Sequence, residues 1–293
     1  MGFESFHPAI NLLYFAAVLA GALCFHQPVF LLISYLSAFL YSVRRCGRRG
    51  WIFNLTLLPL IVVFGLYYAG YHHFGVTVLG TNFIGNSITL ESLLWGLSLG
   101  ATAACFLMWM ECVLSVFTAD KVVYLLGRVS PRMALYLALT LRMLPRIHGQ
   151  ARRLRIARCG VGMGPGQGNF FRRLANGMKV LSMVITWTLD SLMGVAASMK
   201  SRGCGLRGRT AFSIYRFDYR DRSVVLGLSA CISLVLMGHL LGQTAIVYDP
   251  RVVYTPVTAA SYLFYGAYGV LCLWAPGLEW ISRRQFEKRR RAI

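Results

Sequence analysis

The chain has 293 residues, with 30 Lys and Arg against 10 Asp and Glu, a formal charge of +20 and a pI near 10.2. It is 57% hydrophobic and 14% charged, with a mean hydropathy of +0.58, where soluble domains average about 45–50% and about 25%. Such apolarity excludes a disordered chain, and a soluble nucleic-acid binder would match the charge but not the apolar content; an all-α polytopic membrane protein remains.

Met1-Gly2-Phe3-Glu4-Ser5 has no basic n-region and no small-residue cleavage site follows the first apolar run, so no secretory signal is expected. A transmembrane helix needs roughly 20 mainly apolar residues. The first such run, Ala9 to Phe25, stops at His26-Gln27-Pro28; the second, Val29 to Val43, stops at the basic stretch Arg44–Arg49. A third spans Trp51 to Tyr71 and is followed by a Gly-rich, uncharged segment to Asn86. Thr89 and Glu91 then read as an N-cap and a first-turn acid for a fourth run, Leu90 to Phe117. Two further runs, Val224–Leu241 and Thr258–Ala275, precede a basic tail at 283–291. Three regions result: a four-span segment at 1–117, a basic region at 118–222, and two spans with the tail at 223–293.

The basic loops at 44–49, 118–222 and 283–291 place one side of the chain in the cytoplasm, and the charge-poor loops at 26–28, 71–89 and 242–257 place the other outside. Six spans with both termini inside satisfy all of them. Val180–Met199 has the apolarity of a seventh, but basic clusters flank both its ends and Asp190 interrupts it. A charge at mid-bilayer costs about 2.5–3.5 kcal/mol. It therefore reads as a cytoplasmic helix, and the short run Met133–Leu144 as interfacial. The eight cysteines are scattered, without CxxC pairs or His at metal spacing, and read as reduced, packed side chains.

Two helices stand out in the basic region, roughly Pro145 to Cys159 and Phe170 to Gly203. The Gly-rich piece between them, Cys159 to Gly168, lacks the Gly-Lys-Ser/Thr of a phosphate-binding loop and follows no strand, so it reads as a flexible elbow. Each helix closes on an Arg beside small residues: Ala157-Arg158-Cys159-Gly160 in the first, Ser201-Arg202-Gly203 in the second. An unobstructed guanidinium can meet a carboxylate or helix-end carbonyls bidentately.

These residues resemble the transmembrane T component of energy-coupling factor (ECF) transporters. Leu139-Thr140-Leu141-Arg142-Met143-Leu144-Pro145 is similar to the family's Leu-Arg-Phe-x-Pro stretch, and Ser198-Met199-Lys200-Ser201-Arg202-Gly203-Cys204-Gly205 to its Met-x-x-Arg-Gly-Tyr. His7-Pro8-Ala9-Ile10-Asn11 is similar to its opening. The resemblance implies a non-catalytic, multi-pass subunit of a bacterial inner (plasma) membrane importer of a vitamin, metal ion or other micronutrient. Its partners would be two ABC-type ATPase subunits, which bind the ATP, and a substrate-binding S component in the membrane. The chain itself would hold no cofactor and no metal. Arg158 and Arg202 would be the coupling arginines. Cys159 stands where the family has Gly or Ser, Ser201 where it has Ala, and Cys204 where it has an aromatic residue.

The residues also bear on two other readings. A membrane enzyme would draw on His72, His73, Glu91, Glu111 and Asp190, but no pair has the spacing of a metal site or of a nucleophile and its base. A nucleic-acid binder would carry its Lys and Arg on one face with interleaved aromatics; here they follow the inner loops, so no nucleic acid is expected and the tail is assigned to anionic lipids.

Overall fold

The computed structural model describes residues 3–72, 74–81, 87–204, 215, 217–254, 256 and 258–291. His73, Gly205, Arg207, Arg209 and Arg216 lie outside the described residues. Helix accounts for 81% of the structure. In chain order, α1 spans Pro8–Cys24, α2 Pro28–Cys46, α3 Arg48–Tyr71, α4 Leu90–Val116 and α5 Ala119–Val129. They are followed by α6 at Pro131–Gly160, α7 at Phe170–Ser201, α8 at Tyr219–Leu240 and α9 at Ala259–Arg291. A 3-10 turn at Phe3–Ser5 and two small hairpins complete the described elements: β1 (Val78–Thr81) with β2 (Ser87–Thr89), and β3 (Ile246–Val247) with β4 (Val253–Tyr254), both antiparallel.

The chain divides into two units, one of residues Met1–Thr118 with Tyr215–Ile293 and one of Ala119–Ile214. The first joins the segments 1–117 and 223–293 into a single bundle, in which α2 packs on α4 and α9, and α8 on α1 and α9. Aromatic rings fill its centre: Tyr14, Phe15, Phe30, Tyr41, Trp109 and Tyr268 are all fully buried. Their polar atoms are mostly paired, as buried groups must be. Tyr14 OH donates to the Cys272 carbonyl at 2.9 Å, and Trp109 Nε1 to Ser34 Oγ at 3.1 Å.

Small residues let α3 and α4 approach backbone to backbone. A Cβ on Gly96 would stand 3.0 Å from Gly65 Cα, and one on Gly100 only 2.9 Å from Ile61 Cα. Gly96 and Gly100 are four apart on one face of α4, the spacing that brings membrane helices close, and they serve contact within this chain.

Several helices run further than the apolar runs that announced them. Arg44, Arg45, Arg48 and Arg49, expected in a loop, are helical, and Gly47 alone, at φ 60°, turns α2 into α3. Arg is a good helix former whose long stem carries its charge clear of apolar surroundings. Met133–Leu144 and Pro145–Cys159 are one helix, α6, which continues through Pro145, and α9 continues through Pro276 into the basic tail. Thr89 sits at the N-cap of α4 without capping it: its hydroxyl donates to the Phe74 carbonyl. Glu91 stands in the first turn of α4 as expected, and it also accepts from Thr77 Oγ1 at 2.7 Å and from its N–H at 3.3 Å, closing the loop before the helix.

Five helices among the described residues, α2, α3, α4, α7 and α8, are long and apolar enough to cross a membrane. The set differs from the expected six spans at three places. Helix α1 is apolar but only 17 residues long. The apolar half of α9 is diluted by Tyr262, Tyr265, Tyr268 and two glycines, Gly266 and Gly269. Helix α7, read from sequence as cytoplasmic, has a span's length and composition, and only 11% of its apolar window is buried.

Candidate functional site: the arginine-tipped helices α6 and α7

The second unit is built from α5, α6 and α7. It carries 16 Lys and Arg over residues 119–214 against two acids, Asp120 and Asp190, and so holds most of the chain's +20. Asp190 is exposed on α7, with no ion pair among the described residues.

Both long helices end in the same capping motif. At the end of α6, Met163 N–H reaches the Arg158 carbonyl at 3.0 Å and Gly162 N–H the Cys159 carbonyl at 3.2 Å, with Gly162 at φ +75°. At the end of α7, Cys204 N–H reaches the Met199 carbonyl at 3.0 Å and Gly203 N–H the Lys200 carbonyl at 3.1 Å, with Gly203 at φ +70°. These are the paired bonds of a Schellman cap, whose left-handed residue favours glycine. The two sequence motifs are therefore not superimposable. Arg202 directly precedes its cap glycine, whereas Arg158 lies four residues before Gly162, and Gly160, the small neighbour in the sequence, is still helical.

The two arginines also differ in surroundings. Ala157 and Cys159 are exposed and Arg158 is half-buried. The Arg158 guanidinium folds back over the elbow, its Nε donating to the Met163 carbonyl at 3.4 Å. Ser201 and Arg202 are exposed and Gly203 half-buried. The Arg202 side chain lines a groove between α6 and α7, together with Arg142 and Arg146. Arg142 shows in the sequence only within the Leu139–Pro145 stretch and Arg146 in no motif; their meeting with Arg202 is a tertiary fact.

The elbow of residues 161–169 is tied down. Gln167 Oε1 accepts from Gly164 N–H at 3.0 Å, Arg173 Nε donates to the Gly168 carbonyl at 2.9 Å, and Asn176 Nδ2 to the Gly164 carbonyl at 3.3 Å. A Cβ on Gly164 would strike Cys159 Sγ, so the elbow folds tightly onto the end of α6. The Asn176 bond holds it to the first turns of α7. Arg158 is thus kept near one end of a 32-residue helix and Arg202 stands at the other. At 1.5 Å per residue α7 itself is about 48 Å long.

Cap geometry sets opposite signs for two glycine substitutions. Gly203→Ala places a Cβ in the left-handed region and should loosen the α7 tip by about 1–2 kcal/mol. Gly160→Ala, in helical backbone with nothing within 4 Å of the added Cβ, should be neutral or stabilising by up to about 1 kcal/mol. Limited proteolysis of the two tips in otherwise identical protein checks both signs.

In the first unit an ion network ties the helices where α2 and α4 finish. Arg45 pairs with Glu4 and, at 3.4 Å, with Glu279, and donates to the Ser115 carbonyl at 3.2 Å. Tyr41 OH donates to Glu279 at 3.3 Å. Glu111, the intramembrane acid that sequence left without a role, accepts from Ser42 Oγ at 2.7 Å. His72 stacks on Tyr68 at 4.2 Å, and among the described residues no three His, Cys, Asp or Glu come together.

No protein-family model matches this chain, and no curated protein matches it closely. Fold and composition define its class on their own: a multi-pass, all-α membrane protein with a strongly basic three-helix unit set between its membrane segments.

Proposed function

We propose that this chain is the transmembrane coupling subunit of an ECF-type ABC importer of the bacterial inner membrane, with both termini in the cytoplasm. It performs no chemistry. Two partner ATPase subunits bind and hydrolyse ATP, and a membrane S component carries the vitamin, metal ion or other micronutrient. The observation that carries this reading is the pair of arginine-bearing helix ends, Arg158 at the elbow that closes α6 and Arg202 at the far tip of α7. One ATPase of a pair would receive Arg158 and the other Arg202, and neither guanidinium faces a carboxylate among the described residues.

Two further features support it. Helix α7 leaves Phe170, Phe171, Met178, Leu181, Ile185 and Met193 exposed, a large apolar surface of the sort that needs a partner or lipid. Arg172, Arg173 and Lys179 precede the apolar stretch Val180–Met199 of α7 and Lys200 and Arg202 follow it, which favours keeping it on the inner face despite its apolarity. The motion of two rigid arms is what ATP-driven closure of a dimer could drive, and a long helix transmits displacement along its whole length.

Affinity purification of the tagged chain from native membranes tests the reading. It should bring down two nucleotide-binding subunits and a small membrane protein, in a complex whose ATPase activity depends on this chain. A chain that purifies alone and supports uptake in proteoliposomes by itself would overturn it.

A further inference from the structure

The groove between α6 and α7 sets Arg142 and Arg146, which the coupling reading does not use, beside Arg202, which it does. It measures about 370 Å³. Arg142, Met143 and Arg146 line it from successive positions on one face of α6, and Gly194, Met199 and Arg202 from one face of α7. None of the three guanidiniums has a hydrogen bond or ion pair among the described residues, and the unit's two acids do not line the groove. Three like charges sharing a concave surface repel one another unless an anion joins them. Arginine's planar fork suits a phosphate, which can accept from several such forks at once.

The walls distinguish among phosphates. Met143 is buried at 6% exposure and Met199 is half-buried, so apolar surface stands directly beside the cations. Leu135 and Tyr136, exposed one turn before Leu139 on the same face of α6, add apolar surface beyond it. An inorganic phosphate or an acidic side chain would leave it bare. A phospholipid covers it, with its phosphate on the arginines and its glycerol and first acyl carbons on the methionines. Basic pockets between helices bind anionic lipid headgroups on this principle.

We propose that this groove seats the phosphate of an anionic phospholipid, held by Arg142 and Arg146 from α6 and Arg202 from α7. The proposal does not rest on the coupling reading: where Arg202 turns to a partner, Arg142 and Arg146 still hold the phosphate.

The test titrates phosphatidylglycerol into full-length protein in phosphatidylcholine nanodiscs, with bound lipid counted by native mass spectrometry. Arg142→Gln with Arg146→Gln should weaken retention about tenfold per guanidinium removed. Gly194→Leu keeps every charge, and its Cβ meets nothing within 4 Å, yet it fills the groove and should block binding. Arg128→Gln with Arg132→Gln, an equal loss of charge elsewhere in the unit, should change retention less than twofold. Equal losses in the two arginine pairs, full binding by Gly194→Leu, or displacement of the lipid by glycerol 3-phosphate or an acidic peptide at comparable concentration would each overturn the proposal.

Discussion

Replacing Arg158 and Arg202 together by Glu should abolish co-purification with the ATPase subunits and reduce uptake to background, while the chain still inserts and elutes as a single species. Both side chains sit at helix ends and neither supports the core. Arg202 is exposed, and Arg158 makes only contacts to Met163 within its own elbow. Reversal would put like charge against an acidic docking groove, where each such juxtaposition costs several kcal/mol. The two single reversals should differ. Arg158 must first leave the Met163 carbonyl to reach a partner, whereas Arg202 has no such bond to break, so Arg202→Glu alone should be the more damaging. Equal and negligible effects from all three variants would remove the coupling role from both residues.

The second large effect belongs to the bundle. Arg45→Ala should destabilise it by about 3–5 kcal/mol, because Glu279, buried at 6% side-chain exposure, would lose the guanidinium that compensates it and keep only the Tyr41 hydroxyl. The same change releases the Ser115 carbonyl and Glu4, so α2, α4, α9 and the N-terminal turn all lose a tie. Glu4→Ala removes only the half-exposed partner and should cost about 1 kcal/mol or less. Thermal unfolding of the three proteins in one detergent ranks them, and a Glu4→Ala midpoint at or below that of Arg45→Ala would contradict the assignment.

Hydrophobic periodicity exposed most of this fold, since eight of the helices start within or beside an apolar run visible in the sequence. What it hid follows from chemistry that is not periodic. Charged ends of helices read as loops, as at Arg44–Arg49, because a run is defined by apolarity while helix formation is not. The hairpins β1–β2 and β3–β4 are too short to show alternation. Glu91 reads as a first-turn acid, as it is, but its partner Thr77 is fourteen residues back in a loop of no recognisable pattern. The arginine tips were legible as Arg beside small residues. Their inequality was not, because the cap glycine of α6 is Gly162 rather than Gly160, and left-handed backbone is a property of structure. Long-range pairs such as Arg45 with Glu279, 234 residues apart, and Arg142 and Arg146 with Arg202 required the fold itself.

The coupling account requires the tips of α6 and α7 to face the cytoplasm. Cys159, exposed beside Arg158, is a native reporter of that face. In a variant retaining only Cys159, a membrane-impermeant maleimide added to intact right-side-out vesicles should leave it unlabelled, and should label it once the vesicles are inverted. Arg251→Cys, in the loop assigned to the outside, should show the opposite pattern. Labelling of Cys159 from outside intact vesicles would contradict the account.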